Sequence, residues 1–428
     1  MAMGTKETIF SIEHAAIRFG PGALEDVGEE ARTLGLTRVL LVTDARIRRL
    51  PFFETVRTSL HRAGVEAVVF DRTEVEPTDV SMLEAARAAT EARVDGFISL
   101  GGGSVMDTAK AANLFSTWPA EFLSYVAAPL GESRAVPGPL KPHIACPTTF
   151  GTGAENTGIA IFDVTAAKVK TGIVSRRIRP TLGILDPTVL THLPARVVAA
   201  NGFDVLSHAM ESFSAKPYTA RQRPPLPSQR PMTQGANPYS AVPCLEAIRL
   251  TSRNLVAAVT EGDPEARSQL MFAGLLAGIG FGNSGCHLPH AMSYPVAKLV
   301  RSFRPEEWGE GKPLVPHGMA VAVNAPAALR WLARAAPERF APIARALEGP
   351  GRDDHPGDTI AGVLLGLMRQ TGIPVNLAQL GFDEKDIGTL AKGALEQKRL
   401  VENFPGELSH TDMEAIFREG LFQGESAS

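Results

Sequence analysis

The 428-residue chain is poor in several features that would mark a specialised class of protein. It has three cysteines, Cys146, Cys244 and Cys286, at no regular spacing, which argues against a disulfide framework. Its net charge is −3 and no run of five or six like charges occurs, so we expect neither a nucleic-acid nor a membrane partner. The most apolar helical stretch, 270–281, is too short for a bilayer, which takes about 20 residues.

Targeting patterns are equally scarce. The first residues show neither the apolar core of a secretory leader nor an Arg-rich amphipathic start. Together with the few cysteines, this predicts a reducing compartment, and we expect a cytoplasmic protein. Apolar residues make up 44% of the chain and charged residues 21%, which is an ordinary globular composition with room for two or three domains.

The first half of the chain alternates between predicted strands and helices. Apolar β-type runs at 38–43, 67–70, 96–100 and 142–146 are separated by helical patterns, one of them capped at Thr78. Such alternation predicts a Rossmann-like α/β domain, in which helices cover both faces of a parallel sheet and phosphates bind beyond the carboxyl ends of the strands. We assign residues 1–192 to this domain.

Residues 193–428 read mostly as helix and predict an all-α second domain. The exception is 217–243, where seven prolines exclude a regular helix and predict a long ordered loop, a lid or a disordered insert. Further on, Asp263 before Pro264 predicts the start of a helix that runs to about Gly280. Thr411 and Glu414 have the spacing of a capping box before the last helix.

A glycine-rich turn between a predicted strand and a predicted helix is the first candidate site. Glycines let the backbone approach a phosphate, and the amides that open the next helix can bind it with the help of the helix dipole. The predicted phosphate-binding residues are Gly101, Gly102, Gly103, Ser104 and Asp107. Without its context the turn would be weak evidence, because many strand-to-helix turns are rich in glycine.

Two further segments are candidate contacts of the dinucleotide. Asp44 ends a strand, where a carboxylate can bind ribose hydroxyls and would favour NAD over NADP, but a helix N-cap explains it equally well. Thr148, Thr149 and Thr152 lie on a Gly-rich turn whose hydroxyls suit phosphate or nicotinamide contacts. A simple turn is the alternative.

A metal site is predicted from a helical pair and three later histidines. Asp204 and His208 are four residues apart, so both side chains lie on one face of a helix. The remaining ligands must come from His287, His290 or His317. Imidazole and carboxylate ligands favour Fe²⁺ or Zn²⁺ over Mg²⁺ or Ca²⁺.

These motifs, in this order, resemble the iron-containing (group III) alcohol dehydrogenase family. The resemblance implies a dinucleotide-binding α/β domain and an all-helical domain with a metal in the cleft between them, a fold shared with dehydroquinate synthase-type enzymes. It implies NAD and Fe²⁺ as cofactors, with Zn²⁺ as the alternative metal, and a homodimer. It places the metal ligands at Asp204, His208, His290 and His317, and adds Lys170 to the cofactor-binding residues. We take His287, His290 and Tyr294 as the candidate catalytic residues.

Within the family the chain is most similar to the hydroxyacid–oxoacid transhydrogenases, in segments such as 75–79, 234–238, 278–283 and 313–318. This implies oxidation of 4-hydroxybutyrate to succinate semialdehyde, with hydride passed through NAD(H) to 2-oxoglutarate to give D-2-hydroxyglutarate. Two departures are Phe150, where relatives have a small residue, and Ala154, where they have Ser. Tyr294 replaces a histidine of many relatives but agrees with this subgroup.

Three other functions compete with the transhydrogenase. A conventional NAD-dependent alcohol or aldehyde dehydrogenase would share the motifs but release NADH at each turnover. A lyase of the dehydroquinate-synthase type would need basic phosphonate-binding residues, which are not recognisable in the sequence. A non-catalytic relative would have lost a metal ligand, and all four positions are filled.

Overall fold

The computed structural model describes residues 5–167, 169–348 and 355–424. Its strands are β1 Ala16–Phe19, β2 Arg38–Val42, β3 Glu66–Phe70, β4 Gly96–Gly101, β5 His143–Pro147, β6 Ile159–Val164, β7 Val169–Val174 and β8 Leu182–Leu185. The helices are α1 Val27–Thr33, α2 Pro51–Arg62, α3 Asp79–Glu91, α4 Gly103–Thr117, α5 Phe122–Tyr125, α6 Ala195–Ser214, α7 Pro238–Thr260, α8 Pro264–Ser284, α9 Leu288–Leu299, α10 His317–Ala322, α11 Ala325–Ala335, α12 Pro337–Glu348, α13 Pro356–Thr371, α14 Ile387–Leu395, α15 Lys398–Val401 and α16 His410–Phe422.

Residues 13–191 form one compact unit around a six-stranded sheet. The strand order is β1-β8-β5-β4-β2-β3, and every pair in it is parallel. Val39, Leu40, Leu41 and Val42 are all fully buried, as expected for a strand covered on both faces in a parallel sheet. The predicted α/β fold is confirmed. Four strands escaped the sequence analysis: β1, β8 and the antiparallel hairpin of β6 and β7.

The second compact unit combines residues 192–428 with residues 1–12, so far as they are described. Helices α6, α7 and α8 pack against one another, and α9 and α10 pack against α6. Helix α8 begins after Asp263, whose carboxylate accepts the N–H of Glu265, as its sequence predicts. In the described part of the chain, no helix combines the length and apolarity needed to cross a membrane.

The Pro-rich segment 217–243 is only partly the loop that its prolines predict. Residues 217–237 form an irregular loop with two short 3-10 turns, whereas 238–243 already belong to α7. The expectation of no regular helix is therefore wrong for 238–243. Pro238 occupies the first helical position, where no N–H is needed, and Pro243 lies in the second turn beside the exposed Val242.

The cap of the last helix also differs from its prediction. Ser409, not Thr411, is the N-cap, and its hydroxyl accepts the N–H of Asp412 while Asp412 accepts the N–H of Ser409. The pair keeps the spacing of a capping box, but aspartate takes the place of glutamate at the third helical position. The predicted pair therefore lies two residues too far along the chain.

The loop 217–237 is held by the N-terminal segment of the same unit. Glu7 is 6% exposed and its carboxylate binds the Arg230 guanidinium at 2.8 Å. This hydrogen bond, more than the amides of Thr8 and Ile9, lowers the pKa of Glu7 to about 2 against the effect of burial. Because the folded-state pKa lies below the usual 4.5, the pair stabilises the fold above pH 4.5 and loses that effect as the pH falls toward 2.

We therefore expect Glu7→Gln to loosen this loop. At neutral pH the variant should be cleaved faster within 217–237 by a protease of broad specificity, because Arg230 loses its charged partner. Glu29→Gln is the matched control, since Glu29 forms an exposed pair with Arg32 elsewhere. Equal cleavage rates for wild type and Glu7→Gln would show that the ion pair does not hold the loop.

Candidate active site

The four predicted metal ligands come together in the helical unit. Asp204 and His208 lie one turn apart on α6, His290 lies on α9, and His317 opens α10. Asp204 Oδ1 is 3.7 Å from His208 Nδ1, 3.5 Å from His290 Nε2 and 3.7 Å from His317 Nε2. Gly318 allows this approach, because a Cβ there would collide with the carbonyl of Ala200 on α6.

The unsatisfied atoms of this cluster point to a bound cation. Asp204 Oδ1, His208 Nδ1 and His290 Nε2 are buried and have no hydrogen-bond partner among the described residues. Buried polar atoms are rarely left unpaired without a ligand. In a tetrahedral site with bonds of about 2.0–2.1 Å, neighbouring ligands lie roughly 3.3 Å apart. The donor set and its spacing therefore fit a divalent metal ion of the Fe²⁺ or Zn²⁺ type.

The electrostatics of the cluster favour positive charge at its centre. Burial acts to raise the pKa of Asp204, but the combined effect of His208, His317 and His290 outweighs it and lowers the pKa to about 2. Burial lowers the pKa of His208 to about 4, so that its ring is neutral, which is the form that binds metals. Burial also opposes charge on His290, yet the Glu211 and Asp204 carboxylates raise its pKa to about 10.

Glu211 supports the predicted ligand His290 and is not among the site residues predicted from the sequence. It is fully buried, and its Oε1 lies 2.6 Å from His290 Nδ1 while its Oε2 accepts the N–H of His287 at 2.7 Å. A carboxylate behind a ligating imidazole fixes its tautomer and orientation. The sequence held one signal: Glu211 is three residues after His208 and seven after Asp204, on the same face of α6.

His287, a candidate catalytic residue, has both ring nitrogens occupied. Its Nδ1 accepts the N–H of Leu288 at 2.7 Å and its Nε2 lies 3.0 Å from the Ser214 hydroxyl. Burial lowers its pKa to about 4. These contacts favour a structural role as the N-cap of α9 over proton exchange with a substrate. Tyr294 is half-buried one turn after His290, against the apolar cluster that includes Phe281 and Cys286.

In the α/β unit, the glycine turn has the geometry of a phosphate loop. β4 ends at Gly101, and the 15-residue α4 begins at Gly103. A Cβ on Gly103 would lie 2.8 Å from Thr152 Cγ2, and one on Gly102 would lie 3.4 Å from Thr149 Cγ2. The turn that carries Thr148, Thr149 and Thr152 thus packs against the glycines, and the first amides of α4 open beside it.

Two other residues of the glycine motif are engaged within the protein. Asp107 Oδ1 accepts Lys110 Nζ at 3.2 Å and its Oδ2 accepts the N–H of Ile161 at 2.9 Å, so it connects α4 to β6. Lys110 is fully buried and also binds the carbonyl of Ile159. The Ser104 hydroxyl accepts the N–H of Glu76 at 3.3 Å. Asp107 therefore supports the loop in this structure, and contact with a cofactor stays a prediction.

The two remaining predicted cofactor contacts, Asp44 and Lys170, both have hydrogen-bond partners within the protein. Asp44 Oδ1 accepts the N–H groups of Arg46 and Ile47, just before the 3-10 helix Ile47–Arg49, whose N-cap is Arg46. Its Oδ2 meets no donor among the described residues. Lys170 Nζ pairs with Glu76 Oε1 at 2.7 Å. The cofactor-binding roles of Asp44 and Lys170 stay predictions.

The two departures from the family pattern, Phe150 and Ala154, are both buried.

A dicarboxylate substrate needs cationic partners, and the candidates in the sequence are Arg179, Lys216, Arg223 and Arg230. Arg179 binds Glu13 and the carbonyl of Asn156, and Arg230 binds Glu7. The other two candidates, Lys216 and Arg223, lie near the start of the Pro-rich segment, and their side chains form no ion pair among the described residues.

Two family models match the chain. The model of the iron-containing alcohol dehydrogenases covers residues 15–187, and the model of the C-terminal region of the Fe-containing alcohol dehydrogenase family covers residues 232–421. The chain belongs to the iron-containing alcohol dehydrogenase family. The resemblance inferred from the motifs is thereby confirmed, as is the assignment to oxidoreductase enzymes. An iron-containing alcohol dehydrogenase implies NAD and an iron-type metal, and small molecules as substrates.

Relatives and solved structures agree with this assignment. The mitochondrial hydroxyacid-oxoacid transhydrogenase of Bos taurus is 42% identical over 97% of this chain and 91% of its own length, and that of Homo sapiens is 41% identical over the same shares. A crystal structure of 1,3-propanediol oxidoreductase matches with a TM-score of 0.84 at 30% identity, over 97% of this chain and 100% of the other. The predicted fold is therefore that of iron-containing alcohol dehydrogenases.

The expectation of a cytoplasmic protein is wrong by the same comparison. The relatives from Bos taurus, Homo sapiens and Dictyostelium discoideum are all named as mitochondrial proteins. A small number of unpatterned cysteines indicates reducing surroundings, but it does not separate one reducing compartment from another.

Glu211 offers a test of the metal centre away from the ligands themselves. We expect Glu211→Gln to weaken divalent-metal binding by about 10- to 100-fold, because His290 loses the carboxylate that orients it. Competition with a chromogenic chelator measures the affinity. Glu246→Gln is the control, since Glu246 pairs with Arg249 on the surface of α7. An unchanged dissociation constant in Glu211→Gln would contradict the role of Glu211.

Gly103 offers a matching test of the phosphate loop. We expect Gly103→Ala to weaken NAD(H) binding, because the added methyl would collide with Thr152 and displace the turn that packs on the loop. Gly362→Ala, in α13 of the other unit, is the control, since nothing lies within 4 Å of its Cβ position. Calorimetric titration of NADH gives the affinities. Wild-type affinity in Gly103→Ala would show that this loop does not carry the cofactor.

Proposed function

We propose that the chain is a hydroxyacid–oxoacid transhydrogenase. It oxidises 4-hydroxybutyrate to succinate semialdehyde and passes the hydride, through NAD(H), to 2-oxoglutarate, which becomes D-2-hydroxyglutarate. The observation that carries the proposal is the buried Asp204 carboxylate surrounded at 3.5–3.7 Å by three imidazole nitrogens, in a chain 42% identical to proteins of that name. We propose Fe²⁺ as the metal, with Zn²⁺ as the alternative.

The metal centre is supported by the residues of the helical unit. Asp204, His208, His290 and His317 would hold the ion, and Glu211 would keep His290 in the tautomer that presents Nε2. A bound divalent ion supplies a Lewis acid that polarises the hydroxyl or carbonyl oxygen of the substrate, and NAD supplies the hydride acceptor. His317 is 47% exposed while the other three ligands are buried, so we infer that substrate approaches on the side of His317.

The cofactor site is supported by the α/β unit. The glycine loop and the first turn of α4 would bind the pyrophosphate, with the threonine turn beside it. The free oxygen of Asp44 would accept ribose hydroxyls, which favours NAD because a carboxylate repels the 2′-phosphate of NADP. The homodimer remains a prediction.

A coupled assay tests the transhydrogenase directly. Purified, desalted protein is given 4-hydroxybutyrate and 2-oxoglutarate without added NAD, and both products are followed. We expect equal amounts of succinate semialdehyde and D-2-hydroxyglutarate, because each hydride removed from one substrate is delivered to the other. A requirement for added NAD, with release of NADH, would instead identify a conventional metal-dependent alcohol dehydrogenase.

Variants connect this activity to the metal centre. We expect His208→Ala to abolish turnover and to weaken metal binding, since it removes one of the four ligands. His410→Ala is the control, because His410 is an exposed histidine of α16 paired with Glu414. Full activity in His208→Ala would refute the metal assignment.

A further inference from the structure

A buried thiol lies beside the predicted metal ligands. Cys286 is 7% exposed and precedes His287 in the short connection between α8 and α9. Its Sγ and one ring nitrogen each of His208 and His290 lie within 4.8 Å of one another, and all three residues are buried. The other ligand group, Asp204, His290 and His317, shares His290 but includes the exposed His317. The group around Cys286 therefore shares two histidines, His208 and His290, with the four predicted metal ligands and offers a thiol in place of Asp204 and His317.

The backbone around Cys286 is fixed by several hydrogen bonds. The Asn403 amide donates to the carbonyls of Ser284 and Cys286, both at 3.1 Å, and Glu211 accepts the N–H of His287. Gly285 has φ +82°, a left-handed conformation that turns the chain from α8 into this connection. The thiol therefore has a defined place beside the histidines.

Both histidines beside the thiol have a ring nitrogen without a hydrogen-bond partner in the part of the chain that the structure describes. His208 Nδ1 and His290 Nε2 are buried and unpaired among the described residues. The two rings stack with centroids 4.4 Å apart, and His208 also stacks on Phe281, which packs in the same apolar cluster as Cys286. A soft sulfur donor beside two imidazoles, in apolar surroundings, is a donor set that favours thiophilic ions over hard ones.

We propose that Cys286 is a metal ligand of this protein, and that His208, Cys286 and His290 bind thiophilic ions such as Cd²⁺ and also the borderline ion Co²⁺. The oxygen-containing group around Asp204 remains the site for Fe²⁺ and Mn²⁺. In a tetrahedral site, a sulfur at about 2.3 Å and a nitrogen at about 2.0–2.1 Å from the metal lie roughly 3.5 Å apart. The three donors, which lie within 4.8 Å of one another, would have to move closer together to close on an ion. The identity of the bound metal then depends on which of two overlapping donor sets it prefers. This inference rests on the metal centre of the proposed function.

Cobalt spectroscopy distinguishes the two donor sets. Metal-free full-length protein is titrated with Co²⁺, and the visible d–d bands and the near-ultraviolet thiolate-to-cobalt charge-transfer band are recorded. We expect both in the wild type, and in Cys286→Val only the d–d bands. Cys244→Ala is the matched control, because Cys244 is a buried thiol of the same unit outside the ligand group, and it should keep the charge-transfer band.

The affinities of the same variants for Cd²⁺ and Mn²⁺ give a second test of whether Cys286 binds metal. We expect Cys286→Val to lower Cd²⁺ affinity by at least about tenfold and to change Mn²⁺ affinity by less than about twofold, because only the soft ion loses a preferred donor. If Cys286→Val does not fold, as judged by circular dichroism, Cys286→Ser replaces it and should also lose the charge-transfer band.

Each outcome bears on a different part of the proposal. Stoichiometric Co²⁺ binding by the wild type without a charge-transfer band, or Cd²⁺ affinity unchanged in the Cys286 variant, would overturn the role of Cys286 and leave the Asp204 centre standing. Failure of the wild type to bind Co²⁺ at all would overturn the metal centre itself, and the inference with it.

Discussion

The buried carboxylate of Asp204 is the constraint around which the helical unit is arranged. An ionised group in the interior of a protein is strongly destabilising unless opposite charge or hydrogen-bond donors surround it. Here the surrounding groups are imidazoles from α6, α9 and α10, and none of them is a permanent cation. The cluster therefore depends on how protons or a metal ion are distributed among its members, and the helices that carry them must be held at fixed distances.

Those distances are set by groups behind the ligands. Glu211 connects α6 to the start of α9 through His290 and the N–H of His287, and the Ser212 hydroxyl donates to the carbonyl of Gly285 in the same connection. Gly318 brings α10 against α6. One face of α6 thus carries two predicted ligands, Asp204 and His208, and two of the contacts that place a third, His290.

Periodicity and local turn chemistry were enough to predict much of this site. The four-residue spacing of Asp204 and His208 requires only a helix, and the glycine turn requires only a strand before it and a helix after it. Local rules also predicted the N-cap at Asp263. They failed where another local option was open, as at Ser409, where an aspartate completes the cap instead of the expected glutamate.

Contacts between distant segments could not be read from the sequence. Nothing local shows that Asn403 fixes the connection at Cys286, because 117 residues separate them. Nor does the sequence show that both nitrogens of His287 are occupied, which separates it from the neighbouring ligand His290. The strand β1 was missed because it is largely exposed and therefore lacks the apolar run of a central strand. The strand β8 is fully buried, but it has only four residues and Gly183 interrupts its apolar side chains.

The ion pair between Glu7 and Arg230 has a consequence for how the protein can be divided. It joins residues that are 223 positions apart, because the helical unit is made of two separate stretches of the chain. In the sequence, the residues of the α/β unit lie between these two stretches. During synthesis, Glu7 leaves the ribosome long before Arg230 exists. A gene fragment cut at the apparent border near residue 192 would therefore yield a helical piece that lacks one of its own segments and, with it, the Glu7 carboxylate that binds Arg230.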